Sequence, residues 1–444
     1  MHPSRAIRGR RSELLAGRRI VLGISGSISA VETPRIVREL LRHGADVVAV
    51  MSREATRLVT PESVRFATGH PPIVELTGEV EHVSLLGPGA GRADLLLLAP
   101  ATANTISKIA HGIDDTPVTS FASVALGGGV PVLLAPAMHA DMARNPAIRE
   151  NLERLRAWGV GIVPTTSAEG EEKLAGPEEI AAEVLHRLAR GPLSGRPVVV
   201  IGGAARESID AVRSITNESS GATAVALASQ AHYRGARVEL WAGALETPVP
   251  PWILVRRWRS VADLLALAQK RRRELARAAA VLVPAALSDY TLVPRTGKIS
   301  SGEEPRLTLT LERTPKVLGE IRRRAPSPTR LVGFKLTAGA GSVTMENEAR
   351  TLLESSGADW MIGNDRAVMG AADTQVLVLT RRGDRRWLKG PKPEVAGKIL
   401  DDLSRELAEI PARGPRTPPP AGTAPAGPRG RRRPAHRRGA PRSS

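Results

Sequence analysis

Four apolar segments constrain this chain most: "RRIVLGIS", "ADVVAVMS", "ADLLLLAPAT" and "VPVLLAPAM". Each has the length and Val/Leu/Ile content of a buried strand, and each ends in small or polar residues. Helical stretches stand between and after them. "ISAVETPRIVRELLRHG" reads as an amphipathic helix closed by Gly44, and "NPAIRENLERLRAWG" as one closed by Gly159. Buried strands alternating with helices specify a parallel, doubly wound sheet. A Gly/Pro/Ser stretch at 191–197 then precedes a second series, "RPVVVIGGAA", "GARVELWAG", "AAAVLVPAALSDY", "TRLVGFKLT" and "ADWMIGND". The expectation is an α/β chain of two tandem doubly wound, Rossmann- or flavodoxin-like domains.

Length and charge bound the rest. The 444 residues suffice for two or three domains with real cores. With aromatics at only 2%, those cores must be aliphatic. No apolar run reaches the roughly 18 residues of a membrane span, and the Arg-rich start has no apolar h-region, so a cytoplasmic location is expected. The absence of Cys excludes disulfides, thiolate metal sites and a thiol nucleophile. A net charge of +18 invites a nucleic-acid reading, but 1–19 hold six Arg against one Glu, and 412–444 hold nine Arg and no acid. The folded body is then close to neutral. The Pro/Gly/Ala/Arg tail cannot bury a core and is expected to be disordered. A solvated extension is favoured over an RNA contact. The expected boundaries are a basic extension over 1–18, a first domain over 19–190, a second over 191–411 and the tail over 412–444.

Polar groups cluster where strands end. "GISGSISA", Gly23 to Ala30, places small residues and the hydroxyls of Ser25, Ser27 and Ser29 at a strand-to-helix turn, where free N–H groups suit a phosphate. It is not a GxGxxG fingerprint, and no ribose-binding acid follows at the usual distance, so a mononucleotide phosphate fits better than a dinucleotide. "LLAPATANTISKIAHGIDDTPVTS" puts Thr102 and Asn104 after another strand, and "LLAPAMHADMARNP" puts Met138, His139 and Met142 after a third. Read singly, Thr102 is a helix cap, and the two methionines serve a pocket wall and the core equally well.

Together with "EHVSL" and "IDAVRSITNESSG", these motifs make the chain resemble, over about residues 18–405, the bifunctional enzymes of coenzyme A biosynthesis. In these a phosphopantothenoylcysteine decarboxylase is fused to a phosphopantothenate–cysteine ligase. The "IDDTPVTS" and "PAMH" wording is closer to archaeal members. The resemblance implies an FMN-dependent decarboxylation, in which oxidation of the cysteine moiety to a thioaldehyde eases the loss of CO2. It places FMN contacts at Gly26, Ser27, Ile28, Ser52, Thr102 and Asn104, and an acid/base at His82. It puts His139 where relatives use an Asn to hold the substrate carboxylate.

For the second domain the resemblance implies CTP-dependent activation of 4'-phosphopantothenate as an acyl-cytidylate, which the amine of cysteine then attacks. Asn217 would stabilise that mixed anhydride, with Asp210 and Arg213 in the same loop. Lys298 would meet the nucleotide phosphates, and Asp289, Pro315, Lys316 and Phe334 would complete the CTP site, followed by the pair Asn364–Asp365. Mg2+ is expected with the triphosphate, and a homo-oligomer by family likeness. Three departures stand out. The Gly-rich flap "TTSAEGEEKLAGPEEI" has no Cys to donate a proton, leaving Lys173, a His or water. "SSGATAVAL" replaces the usual Lys-Met-Gly after "SSG", and the lysines that often precede the "AND"-like motif are replaced in "ARTLLESSGADW". One active half, or a non-catalytic flavin-binding regulator, are the alternative readings.

Overall fold

A computed structural model describes residues 2–168, 171–300, 306–339, 341–366 and 373–409, with 166–168, 171 and 172 described by backbone alone. The C-terminal tail expected over 412–444 lies outside the described residues.

The first half contains α1 (Pro3–Ala6), β1 (Arg19–Ile24), α2 (Thr33–Arg42), β2 (Asp46–Met51), α3 (Pro61–Thr68), α4 (Glu81–Leu86) and β3 (Leu95–Ala101). It continues with α5 (Ala103–Ala110), α6 (Pro117–Gly127), β4 (Val132–Pro136), β5 (Met138–His139), α7 (Ala140–Arg144) and α8 (Pro146–Ala157). It closes with β6 (Gly161–Ile162), β7 (Thr166–Ala168), β8 (Glu171–Lys173) and α9 (Pro177–Leu188). A parallel five-stranded sheet runs β2-β1-β3-β4-β6, and β5, β8 and β7 form a small antiparallel sheet beside it. The period-2 pleat splits each apolar run between two cores. Ile20, Leu22, Ile24, Leu95 and Leu97 face α2 and α9, while Val21, Leu96 and Leu98 face Phe121 of α6.

The second half contains β9 (Pro197–Gly202), β10 (Arg206–Ser208), β11 (Ser214–Thr216), α10 (Ala222–Tyr233), β12 (Arg237–Ala242), β13 (Leu254–Arg257), α11 (Val261–Lys270), α12 (Arg272–Arg277) and β14 (Ala280–Val283). There follow β15 (Tyr290–Thr291), β16 (Glu312–Arg313), α13 (Val317–Arg324), β17 (Arg330–Thr337), α14 (Gly341–Ser356), β18 (Trp360–Asp365), β19 (Asp373–Thr380), β20 (Arg385–Pro391) and α15 (Lys392–Ala408). Its sheet runs β13-β12-β9-β14-β17-β18-β19-β20, parallel as far as β18 and antiparallel beyond. Val198 and Val200 face one core and Val199 and Ile201 the other, as in the first sheet.

Three details differ from the expectation. Residues 2–18 are not a loose basic extension. Their backbone donates to Leu41, Arg42 and His43, and Leu15 is fully buried. The arginines there meet carboxylates that are distant in sequence. Arg8 and Arg19 reach Asp46 at 2.9 and 3.1 Å, Arg18 reaches Asp94 at 2.7 Å, and Arg11 bridges Glu39 and Glu178. Second, the helix after "GISGS" starts late: Ile28–Glu32 is a 3-10 turn and α2 opens at Thr33, with Pro34 in its first turn. Third, the parallel sheet carries an antiparallel hairpin, β19–β20, that was not anticipated.

The arm predicts an acid response. Burial raises the pKa of Glu39, but hydrogen bonds from His43, Arg42 and Arg11 outweigh it and bring the carboxyl to about 2. A depressed folded pKa contributes stability in full above the ordinary value of 4.5, and that contribution is lost as pH falls toward 2. Glu39→Gln is therefore expected to cost about 1–3 kcal/mol at neutral pH. Its penalty should shrink between pH 4.5 and 2. Thermal melts across that range check this, and a pH-independent penalty refutes it.

Candidate active sites

In an open α/β sheet the ligand crevice lies at the carboxyl ends of strands where the order reverses. In the first sheet that point falls between β1 and β3. Ser25 is buried there, not offered to a ligand. Its hydroxyl donates to the Pro100 carbonyl at 2.7 Å and accepts from the Thr102 N–H at 3.0 Å, tying the two loops together. At Gly26 a Cβ would stand 2.4 Å from the Cβ of Glu54, so only glycine lets this loop settle on the one after β2. Ser52 is also turned inward, with its hydroxyl accepting from Ala55 at 3.2 Å. Ser27 caps the 3-10 turn, while Ile28 beside it is 73% exposed.

Thr102 caps α5, accepting from the Thr105 N–H at 3.2 Å. Asn104 is exposed in the first turn of α5 with no hydrogen-bond partner among the described residues. The crevice thus brings Gly26, Ser27, Ile28, Ser52, Thr102 and Asn104 to one strand edge. The backbone N–H groups of Gly26 and Ile28 and the Asn104 amide have no partner among the described residues, and the serines at 25 and 52 shape the floor.

His82 stands on α4, which packs on α6. Its ring lies 6.3 Å from that of Phe121, and its Nδ1 is buried without a hydrogen-bond partner. A buried orphan of this kind costs about 1–3 kcal/mol, a cost that a bound polar group removes. No hydrogen bond joins His82 to the crevice loops among the described residues. The segment before it is strained: Val80 has φ +46°, rare for a β-branched residue, and Glu81 accepts from the Thr77 N–H and hydroxyl at 3.1 and 2.5 Å.

His139 follows β4. It caps α7, its Nδ1 accepting from the Asp141 N–H at 3.2 Å, with the Asp141 carboxylate 3.4 Å away. A neutral ring in this pose carries its proton on Nε2, directed away from the cap. Residues 138 and 139 pair with 172 and 171 of β8, which sets His139 against the flap strands. Met138 packs on the core and Met142 is half exposed, so the two methionines divide between the open alternatives. Of the flap, residues 169 and 170 lie outside the described residues.

In the second sheet the reversal lies between β9 and β14. A Cβ at Gly202 would meet that of Ala224 at 2.1 Å, and Gly203 has φ +86°, so the Gly pair seats α10 on the strand end and turns the chain. Asp210 is a structural clasp. Its buried carboxylate accepts from the N–H groups of Arg213, Val212 and Ile299 at 2.6, 2.7 and 3.1 Å, and from the Arg213 guanidinium at 2.7 Å. Those backbone hydrogen bonds, from Arg213 and Val212 first, bring its carboxyl to about 2. The clasp fixes the backbone on either side of Lys298, whose ammonium is exposed and unpartnered among the described residues. Residues 301 and 302 of the Lys298 motif lie outside the described residues.

Asn217 donates from Nδ2 to the Leu287 carbonyl at 2.9 Å, which joins its loop to the one after β14. Asp289 and Lys316 form an exposed ion pair of 2.8 Å beside Pro315, held by the β15–β16 pairing. Phe334 packs its ring on the core from β17, and Lys335 is held by Glu348 at 3.0 Å. Asp365 accepts from the Thr337 hydroxyl at 2.9 Å. Sequence reasoning missed Glu207, a buried carboxylate that accepts from the Val261 N–H at 2.8 Å and the Thr291 hydroxyl at 2.7 Å. Nothing in "ARESID" marks it out.

The comparisons with known proteins divide the chain in two. A flavoprotein family matches residues 8–189, and the C-terminal domain family of the DNA/pantothenate metabolism flavoproteins matches residues 193–407. The coenzyme A biosynthesis bifunctional protein CoaBC of Thermococcus kodakarensis is 38% identical over 408 residues, covering 92% of this chain and 100% of the relative. That of Methanocaldococcus jannaschii is 32% identical over 411 residues, covering 91% and 98%. Among solved structures, the DNA/pantothenate metabolism flavoprotein of Streptococcus pneumoniae has a TM-score of 0.43 at 25% identity, covering 48% of this chain and 100% of that one.

Proposed function

The chain belongs to the family of bifunctional coenzyme A biosynthesis proteins, with a flavoprotein decarboxylase half and a ligase half, and from that premise we propose how each crevice works. The observation that carries the reading is one chain with two switch-point crevices, each with a polar side chain nearby, Asn104 in the first half and Lys298 in the second, that has no partner among the described residues. FMN suits the first crevice, where Gly26 lets its loop pack on the loop after β2, a pose that a Cβ meeting Glu54 would forbid, and so sets the loop's backbone N–H groups at the strand end. FMN supplies the two-electron chemistry at the cysteine moiety of 4'-phosphopantothenoylcysteine. The chain's own groups bind, orient and move protons. The Nε2–H of His139 donates to the carboxylate that leaves as CO2, in the role that an Asn serves in relatives. His82 exchanges a proton through the buried Nδ1 that has no partner among the described residues.

In the second crevice a carboxylate oxygen of 4'-phosphopantothenate attacks the α-phosphorus of CTP and releases diphosphate. The amine of cysteine then attacks the acyl carbon, and CMP leaves. The Lys298 ammonium faces the charge that develops on the α-phosphate. Asn217 gives one amide hydrogen to Leu287 and keeps the other for the mixed anhydride. Asp289, Pro315, Lys316 and Phe334 line the nucleotide side, and Mg2+ arrives with the triphosphate. A homo-oligomer is part of the reading, supported by the exposure of Ile28 at 73% and Phe66 at 56% in the flavoprotein half. No helix among the described residues is long and apolar enough to cross a membrane. A cytoplasmic location is part of the reading by family likeness alone.

The test is a single incubation with FMN, Mg2+, CTP, cysteine and 4'-phosphopantothenate, followed by mass spectrometry. Both the cysteine conjugate and its decarboxylated product are expected. Conjugate alone restricts the activity to the ligase half. Bound flavin with neither product returns the regulatory alternative.

Gly26→Ala isolates the cradle. The added methyl must displace the Glu54 backbone or its own loop. Flavin retained through gel filtration, read by absorbance, is expected to fall at least about tenfold with the ligase untouched, a free-energy difference of roughly 1.4 kcal/mol. Full retention at unchanged affinity removes this loop from the FMN site.

A further inference from the structure

Helices α12 and α13 approach the amino edge of the second sheet. α12 ends at Arg277 just before β14 begins at Ala280, and α13 ends at Arg324 ahead of β17 at Arg330. The loop holding Asp289 follows the carboxyl end of β14, so the ends of these helices face the opposite pole. Between them lies a cleft lined by Gln269, Arg272, Arg273, Glu320, Arg323 and Arg324.

The arginines of this region fall into two sets. Arg271 reaches Glu239 at 2.8 Å and Arg322 reaches Asp359 at 2.8 Å, each a half-buried pair that secures a helix to its surroundings. Within the cleft a single carboxylate stands among four guanidiniums and pairs with two of them. Glu320 holds Arg324 at 2.8 Å and also pairs with Arg323, while the Gln269 side-chain oxygen accepts from Arg324 at 3.1 Å. Arg324 holds the Glu320 carboxyl below its ordinary value, so it stays ionised and is already spent. Arg272 and Arg273 are exposed and have no hydrogen-bond or ion-pair partner among the described residues.

The cleft therefore holds a surplus of three positive charges on two packed helices. A concave surface lined by one sign of charge focuses its potential, and the planar guanidinium fork matches phosphoryl oxygens two at a time. One monovalent anion would leave most of that surplus unpaired. We propose that this cleft binds a polyphosphate, a ligand with two or more linked phosphoryl groups, at a site separate from the nucleotide crevice of the ligase half. Arg272 and Arg273 are its free donors among the described residues, and Arg323 and Arg324, both paired with Glu320, line the same cleft.

The experiment is calorimetric titration of the full chain with inorganic tripolyphosphate at 50 and 200 mM NaCl. Two classes of site are expected in the wild type, both weakening steeply with salt. Arg272→Ala with Arg273→Ala should weaken one class at least tenfold and leave ligase kcat/KM for CTP unchanged. Both side chains are exposed and unpaired, so folding is not at stake. Lys298→Gln should weaken the other class instead. Arg323→Ala gives an independent second lesion of the cleft and should weaken the same class as the double variant. Replacing tripolyphosphate by a nucleoside triphosphate tells the two sources of the ligand apart: equal affinity means the phosphates alone are read, and tighter binding means a base or sugar contact as well. The proposal fails if the double variant titrates like the wild type. It also fails if the double variant loses affinity for a 20-nucleotide RNA but not for tripolyphosphate, which would make the patch a nucleic-acid surface.

Discussion

His82→Asn is expected to lower decarboxylation of supplied 4'-phosphopantothenoylcysteine by about 10²–10⁴-fold, the usual worth of a positioned general acid or base. The substitution removes the proton carrier and leaves a side chain of similar polarity. Flavin should remain bound, because none of the loops at the β1–β3 crevice depends on a hydrogen bond from His82. Formation of the cysteine conjugate should also be unaffected, since its residues belong to the second sheet. Stability should hold or rise slightly: the buried Nδ1 has no partner among the described residues, so no hydrogen bond seen in the fold is lost when it goes. Absorbance of bound flavin, a thermal melt and single-turnover release of CO2 separate these effects. If the variant decarboxylates within a few-fold of wild type, His82 is an ordinary half-buried side chain and the proton moves elsewhere, with His139 and Lys173 the alternatives to test next in the same half.

The sheets were legible because their strands are continuous apolar runs, and such runs fit only a surface covered on both faces. "RRIVLGIS" and "RPVVVIGG" each feed two cores by alternation, which is what a buried parallel strand requires. The β19–β20 hairpin also left a readable trace, "TQVLVLT" followed by a turn with Gly383 at φ +102°, yet it falls outside the strand–helix rhythm and was passed over. The N-terminal arm was not legible. Its arginines look solvated until Glu39, Asp46, Asp94 and Glu178 are placed beside them, and no local pattern encodes pairs 27 to 167 residues apart. The same limit applies to the site. Spacing finds Ser25, Ser52 and Asp210 as polar groups near strand ends, but only the fold shows that all three are turned inward. Among the described residues, a smaller set of the expected site keeps at least one polar atom without a protein partner: Asn104, His82, His139, Asn217 and Lys298.

Within that set Lys298 has the sharpest separation between chemistry and structure. Its neighbours are fixed: the Ile299 N–H is held by Asp210, the Arg213 guanidinium donates to the Ile299 carbonyl at 3.2 Å, and the Gly297 carbonyl accepts from Ala211 at 3.0 Å. The ammonium itself is held by nothing among the described residues, so removing its charge does not disturb the clasp. Lys298→Gln is expected to cut conjugate formation by about 10²–10³-fold, the range found when a group that stabilises developing transition-state charge is lost. The melt should be unchanged, and so should decarboxylation of supplied conjugate. The loss should fall mainly in kcat, because the charge it meets grows as the α-phosphorus is attacked; a rise confined to KM for CTP would mean that Lys298 only holds the ground-state triphosphate. Asp210→Asn offers the contrast. It weakens an acceptor of three backbone N–H groups and an arginine, so activity and thermal stability should fall together. Lys298→Arg restores the charge but spreads it over a planar fork, and partial recovery is the expected result. Activity of Lys298→Gln within twofold of wild type would dismiss the lysine from the chemistry and pass the role of cation to Lys316, which is already paired with Asp289 at 2.8 Å.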